Sequence, residues 1–230
     1  MRDMVIVKRK LKSYLNNMKI IGISGLARSG KDLFTTVAQK ILTDKGFKTE
    51  RYALAYELKS DLKELLKDKT GIDVFTEKTE EKNVIRPLLV AYGDVMRKIS
   101  EGKYWTSKVE TRMSTSKADF VFITDIRYDI YPQDECYWLQ RKMGGKLIHI
   151  TKYQIAEAPS KRRISTAKPV KIYEAAPNEH ELFNNPKVRS KSDYAFEWED
   201  YSFKLNDVKL EEHPYIVESV TNALIKINAI

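Results

Sequence analysis

Two glycines and a lysine near the start of the chain have the spacing of a phosphate-binding loop. Residues 25–32 read Gly-Leu-Ala-Arg-Ser-Gly-Lys-Asp and follow an apolar run at residues 20–23. The glycines at 25 and 30 let the backbone turn closely, with no Cβ in the way. A strand entering such a loop and a helix leaving it direct backbone N–H groups and the helix dipole at an anion, and Lys31 reaches its outer oxygens. We therefore predict a polyphosphate site here.

The residue after the lysine departs from the usual pattern of these loops. GxxxxGK is commonly followed by Ser or Thr, whose hydroxyl holds magnesium, but here Asp32 follows. Asp32 is predicted either to contact the metal through water or to stabilise the helix as an acidic first-turn residue. The residues predicted to bind the polyphosphate are Gly25, Arg28, Ser29, Gly30, Lys31, Asp32 and Leu33.

This loop resembles that of phage-type deoxynucleoside monophosphate kinases, in which aspartate follows the lysine and threonine commonly comes next. Leu33 stands in the threonine's place here. The shorter Ser-Gly-Lys-Asp is shared with some other small-molecule kinases, so the loop alone leaves the acceptor open. The resemblance implies an α/β fold of the three-layer P-loop NTPase type, as in nucleoside monophosphate kinases, with a parallel central sheet and a mobile basic lid. It also implies ATP and Mg²⁺ as cofactors, with Asp32 and Asp125 at the metal.

Residues 54–59 supply a second candidate site. The strand predicted before them ends at residue 53, and open α/β sheets bind ligands at the carboxyl ends of their strands. The sequence Leu-Ala-Tyr-Glu-Leu-Lys resembles the family's Phe-Ala-x-Pro-Leu-Lys segment beside the acceptor nucleotide, with Leu54 for phenylalanine and Glu57 for proline. Lys59 is then predicted to contact the acceptor phosphate. The alternative is an ordinary solvated helix lysine.

Two arginines are further candidates for a phosphate contact. Arg86 precedes, and Arg97 lies within, the next apolar-periodic segment. Residues 86–94 are similar to the family's Arg-x-Leu-Leu-Gln-x-x-Gly-Thr, which puts Gly93 and Asp94 at the acceptor, with Asp94 replacing threonine and a valine replacing glutamine. A surface ion pair between Asp94 and Arg97 is the alternative, because residues three apart are neighbours on a helix.

Trp105 is the candidate for binding the acceptor base. It stands at the start of a helix predicted to run to Met113, and the family has a tryptophan at this place beside the base. Stacking of a base on an aromatic face contributes ~1–3 kcal/mol in single-strand binders, which is an upper scale for this contact. The alternative is a core tryptophan.

An apolar run at residues 120–124 ends in Asp125, as expected of a buried parallel strand that delivers an acid to a phosphate site. Asp125 is predicted to hold magnesium directly or through water, and Arg127 to neutralise charge on the transferring phosphoryl group. Together with Lys31, these two are the predicted catalytic residues. Ile-Thr-Asp-Ile-Arg closely resembles the family's Ile-Thr-Asp-Val-Arg. After an insertion, either Asp134 or Glu135 is the equivalent of the family's substrate-binding glutamate.

A scaffold of alternating strands and helices is predicted to position these side chains. The predicted strands are residues 20–24, 48–53, 120–125, 146–150 and 193–198. The predicted helices follow the loop until Gly46, and then span residues 55–66, 87–99, 105–113, a segment after Pro132, and residues 217–227. Inward-facing positions include Leu65 in the second helix and Leu88, Val95 and Ile99 in the third. Residues 68–83 read as a connection.

Two segments lack clear periodicity. Residues 151–192 collect basic residues and prolines, so we predict a lid, with an exposed loop unrelated to catalysis as the alternative. The basic positions named for this lid are Lys161, Arg162, Arg163, Lys168 and Lys171. His180-Glu181 resembles a His-x-x-Glu-like patch of the family but differs from it in spacing, and the three scattered histidines predict no metal site. Residues 1–17 form a basic extension, which is either a tether for nucleic acid or a solvated segment.

Composition agrees with a single kinase domain at residues 18–230. The 230 residues are 42% hydrophobic, and the net charge of +9 favours anionic ligands. One cysteine excludes an internal disulfide, and no long apolar run or leader is apparent, so we expect a cytoplasmic protein without a membrane partner.

The predicted activity is transfer of the γ-phosphoryl group of ATP to a nucleoside monophosphate, preferably a deoxynucleotide. The residues predicted to bind this acceptor are Lys59, Arg86, Gly93, Asp94, Arg97, Trp105, Asp125, Arg127 and Glu135. One alternative is a kinase of another small phosphorylated acceptor. Another is a nucleic-acid-associated NTPase or binding protein. The oligomeric state, a homodimer included, stays open.

Overall fold

A mostly parallel β-sheet lies at the centre of the protein. The computed structural model describes residues 18–156, 170–200 and 209–230. In these ranges the strands are β1 (Lys19–Ser24), β2 (Thr49–Ala53), β3 (Phe120–Ile126), β4 (Lys146–Ala156), β5 (Val170–Tyr173) and β6 (Tyr194–Glu199). The helices are α1 (Lys31–Asp44), α2 (Leu54–Thr70), α3 (Thr79–Ser100), α4 (Lys103–Met113), the short α5 (Glu135–Tyr137), α6 (Glu179–Lys191) and α7 (Pro214–Lys226). A π-helical turn, Trp138–Lys142, continues α5.

Five of these strands run parallel in the order β2-β3-β1-β4-β6. The sixth, β5, pairs antiparallel with the far end of β4. After β1 the chain forms β2 and β3 on one side of β1, and it then forms β4 on the other side. The strand order therefore reverses at β1. In open α/β sheets this reversal leaves a crevice at the carboxyl ends of the strands, where ligands bind. The predicted α/β class with a parallel central sheet is confirmed.

Helices cover both faces of the sheet. Strand residues alternate between two cores, so that Ile21 of β1 packs with Phe34 of α1 and Leu224 of α7, while Ile20 packs with Val109 of α4 on the other face. Burial on both faces explains why the central strands are continuously apolar and do not alternate with polar residues. The loop after β1 is therefore held between two packed layers.

The third helix departs from the prediction at its start. α3 begins at Thr79, so Pro87 lies inside it, and residues 68–70 and 79–83 of the expected connection are helical. Glu80 and Glu81 in the first turn complement the helix dipole there. Pro87 is tolerated within the helix, although it cannot donate a hydrogen bond to the preceding turn.

Several residues expected to face the core are exposed. Leu65 of α2 and Leu88, Val95 and Ile99 of α3 all have more than two-fifths of their surface accessible. The inward side of α3 is instead formed by Leu89, Tyr92 and Met96. The reason is that α3 packs on α2 and α4 and not directly on the sheet, so only a narrow stripe is covered.

The segment 151–192 has more regular structure than predicted. β4 continues to Ala156, β5 covers Val170–Tyr173, and α6 occupies Glu179–Lys191. Lys171 forms an ion pair with Glu197 of β6 at 3.1 Å. The other basic positions named for the lid, at 161–163 and 168, lie outside the described residues, as does the extension at 1–17. Among the helices that the structure describes, none is both long and apolar enough to cross a membrane.

Candidate functional site

The loop between β1 and α1 needs both of its glycines. Gly25 has φ 137°, and a Cβ built there would lie 2.3 Å from the carbonyl oxygen of Ile150. Gly30 has φ 89°, and its Cβ would lie 2.3 Å from the ring of Trp198. The indole Nε1 of Trp198 donates a hydrogen bond to the Ser29 carbonyl at 3.0 Å. The sheet thus fixes the loop from below, and neither glycine position has room for a side chain.

Lys31 folds back across this loop. Its Nζ donates to the carbonyl oxygens of Gly25 at 3.1 Å and Leu26 at 2.7 Å, and the residue is 8% exposed. Burial lowers the pKa of Lys31, and the nearby Arg127 lowers it further, while carboxylates around the loop oppose the shift. The ammonium group therefore lies against the backbone carbonyl groups of the loop.

The remaining loop residues differ in what they offer. Arg28 is exposed and has φ 66°. Ser29 is buried, and its Oγ has no hydrogen-bond partner among the described residues. Asp32 is mostly exposed and forms an ion pair with Arg51. Leu33 packs against the core beneath the loop. Its hydrocarbon side chain has no oxygen that could bind a metal.

A carboxylate that the sequence analysis did not assign to the site lies at this loop. Glu181 of α6 accepts a hydrogen bond from the backbone N–H of Ala27 at 2.8 Å and pairs with Arg127 Nη1 at 3.2 Å. Asn178 caps α6 by accepting from the Glu181 N–H at 2.9 Å. The spacing Asn178-x-x-Glu181 is that of a capping box and was the available signal for the helix start. It did not reveal that the carboxylate reaches the loop.

Next to the loop lies a cavity of about 230 Å³, the Trp105 cavity. Its apolar wall is formed by α2 and α3, chiefly Leu54, Leu58, Leu89 and Val90. It brings together eight of the nine residues predicted to bind an acceptor. These are Lys59, Gly93, Asp94, Arg97, Trp105, Asp125, Arg127 and Glu135.

Arg86 is the exception among the predicted acceptor residues. It is exposed and lines a neighbouring cavity of about 240 Å³, the Arg86 cavity, which also reaches Gly25 of the loop and Glu181. Val90, Arg127 and Tyr128 line both cavities. Arg86 and Arg97, the two arginines predicted to contact a phosphate, therefore do not line the same cavity.

Arg97 is already bound to two carboxylates. Its guanidinium is buried, donates to Asp134 at 2.5 Å and to Glu135, and lies 3.6 Å from the centre of the Tyr128 ring. The alternative pairing with Asp94 is also wrong, since Asp94 instead lies 3.8 Å from the His180 ring nitrogen. Arg97 thus acts in the structure as the centre of a buried ion cluster.

Glu135 connects that cluster to Arg127. Its carboxylate accepts from the backbone N–H groups of Arg127 at 2.6 Å and Tyr128 at 3.1 Å. Burial raises the pKa of Glu135, and Arg97 opposes the shift. Asp134 instead accepts a hydrogen bond from the backbone N–H of Ile130, and this bond closes the loop between these two residues. Of the two acids left open by the sequence, Glu135 is the one that lines the Trp105 cavity.

Asp125 and Arg127 lie at the end of β3, between the two cavities. Asp125 has φ 67°, a conformation that is uncommon for residues other than glycine and is often found at functional sites. Arg127 Nη2 lies 3.4 Å from an Asp125 oxygen. Burial alone would lower the pKa of Arg127, but Asp125 and Glu181 raise it. Arg127 is thereby the cation between the loop and the Trp105 cavity.

The two remaining predicted contacts behave differently. Trp105 is only 3% exposed and packs edge-on against Tyr92 and Tyr104, so it is a core residue whose edge reaches the cavity. The alternative of a core tryptophan describes it better than a stacking platform. Lys59 has its pKa lowered by burial and then by Lys82, with Asp125 opposing. It therefore presents a partly buried cation to the cavity.

No group of three or more His, Cys, Asp or Glu residues suited to a metal ion occurs in the described part of the chain. Neither a scan against protein-family models nor a search of curated proteins gave a match.

Proposed function

We propose that this protein is a P-loop phosphotransferase that moves the γ-phosphoryl group of ATP to a nucleoside monophosphate, preferably a deoxynucleotide. The proposal depends mainly on the position of Arg127. This cation lines the Trp105 cavity and, through Glu181, is linked to the backbone of the glycine loop. A phosphoryl group passing between a donor in the loop and an acceptor in the cavity would pass this guanidinium.

The loop fits a polyphosphate on three observations. Both glycines lie where a Cβ would clash, Lys31 points into the curve of the loop, and a loop amide already binds a carboxylate. Successive N–H groups at a helix start are a general anion site. The order of the parallel strands, with the loop at their reversal point, is compatible with a P-loop fold and supports the same ligand position.

Magnesium is expected to enter with the nucleotide. It is usually held by one or two carboxylates plus substrate phosphates, so an acid cluster is not required. Asp125 suits this role because it lines the Trp105 cavity at the end of β3. Asp32 is less suited, since it is exposed and paired with Arg51. When bound, the metal supplies charge neutralisation on the phosphate oxygens.

The side chains of the protein then mainly position the two substrates and stabilise the transition state. An oxygen of the acceptor phosphate attacks the γ-phosphorus, the bond from that phosphorus to the bridging oxygen breaks, and ADP leaves. The acceptor phosphate is already largely a dianion at neutral pH, so no residue has to remove a proton. Lys31 and the loop hold the donor, Arg127 offsets the developing charge, and Lys59 faces the acceptor phosphate.

The size of the Trp105 cavity favours a free mononucleotide over a polymer. Its volume of about 230 Å³ lies just below the range of about 300–1,000 Å³ that is usual for small-molecule pockets, which leaves room for one small ligand and not for a polymer. Arg97 and Glu135 also line this cavity and are already paired with each other, so they offer no free cation to the backbone of a nucleic-acid strand. This argues against the nucleic-acid NTPase but leaves another small phosphorylated acceptor as the nearest alternative.

The test is a screen of acceptors with γ-labelled ATP. We expect label in a nucleoside diphosphate and none on an oligonucleotide end. Lys31→Ala should lower kcat by ~10²–10³, the usual effect of removing one preorganised stabilising donor. Lys45→Ala, an exposed lysine beyond the end of α1, is the matched control and should leave the rate unchanged. Label appearing only on nucleic acid, or equal rates for the two lysine variants, would overturn the proposal.

A further inference from the structure

Glu181 occupies part of the loop to which the proposed function assigns the donor phosphates. One carboxylate oxygen accepts from the Ala27 N–H at 2.8 Å, and the other lies 3.2 Å from Arg127 Nη1. The side chain is 12% exposed. The charge of Glu181 also acts on Lys31, where it opposes the lowering of that pKa. The carboxylate thus touches or influences three groups of the donor site.

The helix that carries Glu181 does not need this contact for its own capping. Asn178 caps α6 through its side chain. A glutamate at this position of a capping box ordinarily reaches back to the N–H of the capping residue. Here it reaches across to another part of the chain, 154 positions away in sequence. The orientation of Glu181 is therefore determined by the loop and Arg127.

A phosphate and this carboxylate require the same partners. The loop amides and Arg127 bind anions, and a second anion at the same N–H would both compete for the hydrogen bond and repel the phosphate. We propose that Glu181 is a positioning residue that holds the loop and Arg127 in the nucleotide-free protein and is displaced by the donor phosphates. Donor binding would then release Arg127 for the transferring group. The inference rests on the proposed function.

The experiment measures calorimetric binding of inorganic tripolyphosphate, a probe that contains the phosphates without the base or sugar. Glu181→Ala should bind it about 10-fold or more tightly, because a charge-assisted hydrogen bond no longer has to be broken. Glu181→Gln keeps an oxygen for the Ala27 N–H but loses the charge, so its affinity should lie between the two. The Michaelis constant for ATP should fall in the same order.

Glu179→Ala is the matched control. Glu179 lies on the same turn of α6, carries the same charge and is exposed, so its loss should leave tripolyphosphate affinity within about twofold of the wild type. A merely structural role for Glu181 predicts the opposite sign, because a loosened loop would bind phosphate more weakly.

The possible failures are distinguishable. Unchanged or weaker binding by Glu181→Ala, with clear binding by the wild type, overturns the role of Glu181 and leaves the kinase proposal standing. Absence of binding by the wild type and by all variants overturns both, since the loop is then not a phosphate site. If Glu179→Ala increased the affinity for tripolyphosphate as much as Glu181→Ala does, the effect would come from the loss of any negative charge on α6. That result would also overturn the role of Glu181.

Discussion

The glycine loop and the Trp105 cavity are built in opposite ways. The loop is one continuous segment whose chemistry resides in backbone groups and one lysine, and two glycines make its shape possible. The cavity takes side chains from α2, α3, α4, β3 and α5, and two of its cations pair with its acids, Arg97 with Glu135 and Arg127 with Asp125. A site like the loop is determined by residues close together in the sequence. A site like the cavity depends on how elements that are far apart in the sequence pack together.

This difference has a consequence for the charged residues. In the cavity three cations, Lys59, Arg97 and Arg127, face three acids, Asp94, Asp125 and Glu135, so the formal charges balance. At the loop, Lys31 is held by uncharged carbonyl groups. A phosphate at the loop would therefore meet Lys31 bound only to carbonyl groups and would compete with Glu181 for the Ala27 N–H, whereas in the cavity it would compete with the ion pairs of Arg97 and Arg127.

The largest expected effect comes from the residue that belongs to both regions. Arg127→Ala should lower kcat by ~10³–10⁵ and change the Michaelis constant for ATP far less, because a charge-offsetting arginine acts mainly in the transition state. Steady-state kinetics with the best acceptor provide the measurement. Arg141→Ala, an exposed arginine on the π-helical turn, is the control. A loss limited to folding stability would make Arg127 a structural ion-pair partner.

Arg97 tests whether the cavity depends on its buried ion cluster. Arg97→Ala leaves the buried carboxylates of Asp134 and Glu135 without their cation, which should cost about 3–5 kcal/mol in the free energy of unfolding. Urea denaturation at neutral pH gives the value. Lys98→Ala, the exposed neighbour on α3, should change it by less than about 0.5 kcal/mol. A stable Arg97 variant with weakened acceptor binding would instead restore Arg97 as a direct phosphate contact.

His149 supplies a test from beneath the loop. Burial, then Arg189 and Lys31, lower its pKa to about 4 from the ordinary 6.5, and its Nδ1 lies 2.9 Å from the Ser24 hydroxyl. Between pH 6.5 and 4 the unfolded chain binds a proton that the folded protein does not. Stability should therefore fall as the pH falls through this window, by at most about 3 kcal/mol from this group.

His149→Asn removes this titration, so its unfolding free energy should decline less than that of the wild type between pH 7 and pH 4. His180→Asn, at an exposed histidine, is the matched control substitution. Identical profiles for wild type and His149→Asn would show that the acid sensitivity arises elsewhere, for example in the carboxylates of the cavity.

The errors of sequence interpretation follow the same division. Phe34 of α1 and Val220 and Leu224 of α7 lie in the core with Ile21 of β1, because strong periodicity on a helix packed against a sheet leaves few alternatives. Val95 and Ile99 follow the same helical pattern but are exposed, since α3 lies over other helices and not over the sheet. Periodicity defines a face, but the neighbouring elements decide how much of it is covered.

By itself the sequence determined the strand, glycine loop and helix around Lys31, because close backbone turns and helix starts are set by residues near one another in the chain. It also determined that Asp125 lies near the carboxyl end of a buried strand. Only the tertiary structure decided the partners of the charged groups. Arg97 meets Glu135 and Ala27 meets Glu181 across 38 and 154 positions, and pairing over such separations is fixed by packing and not by local spacing.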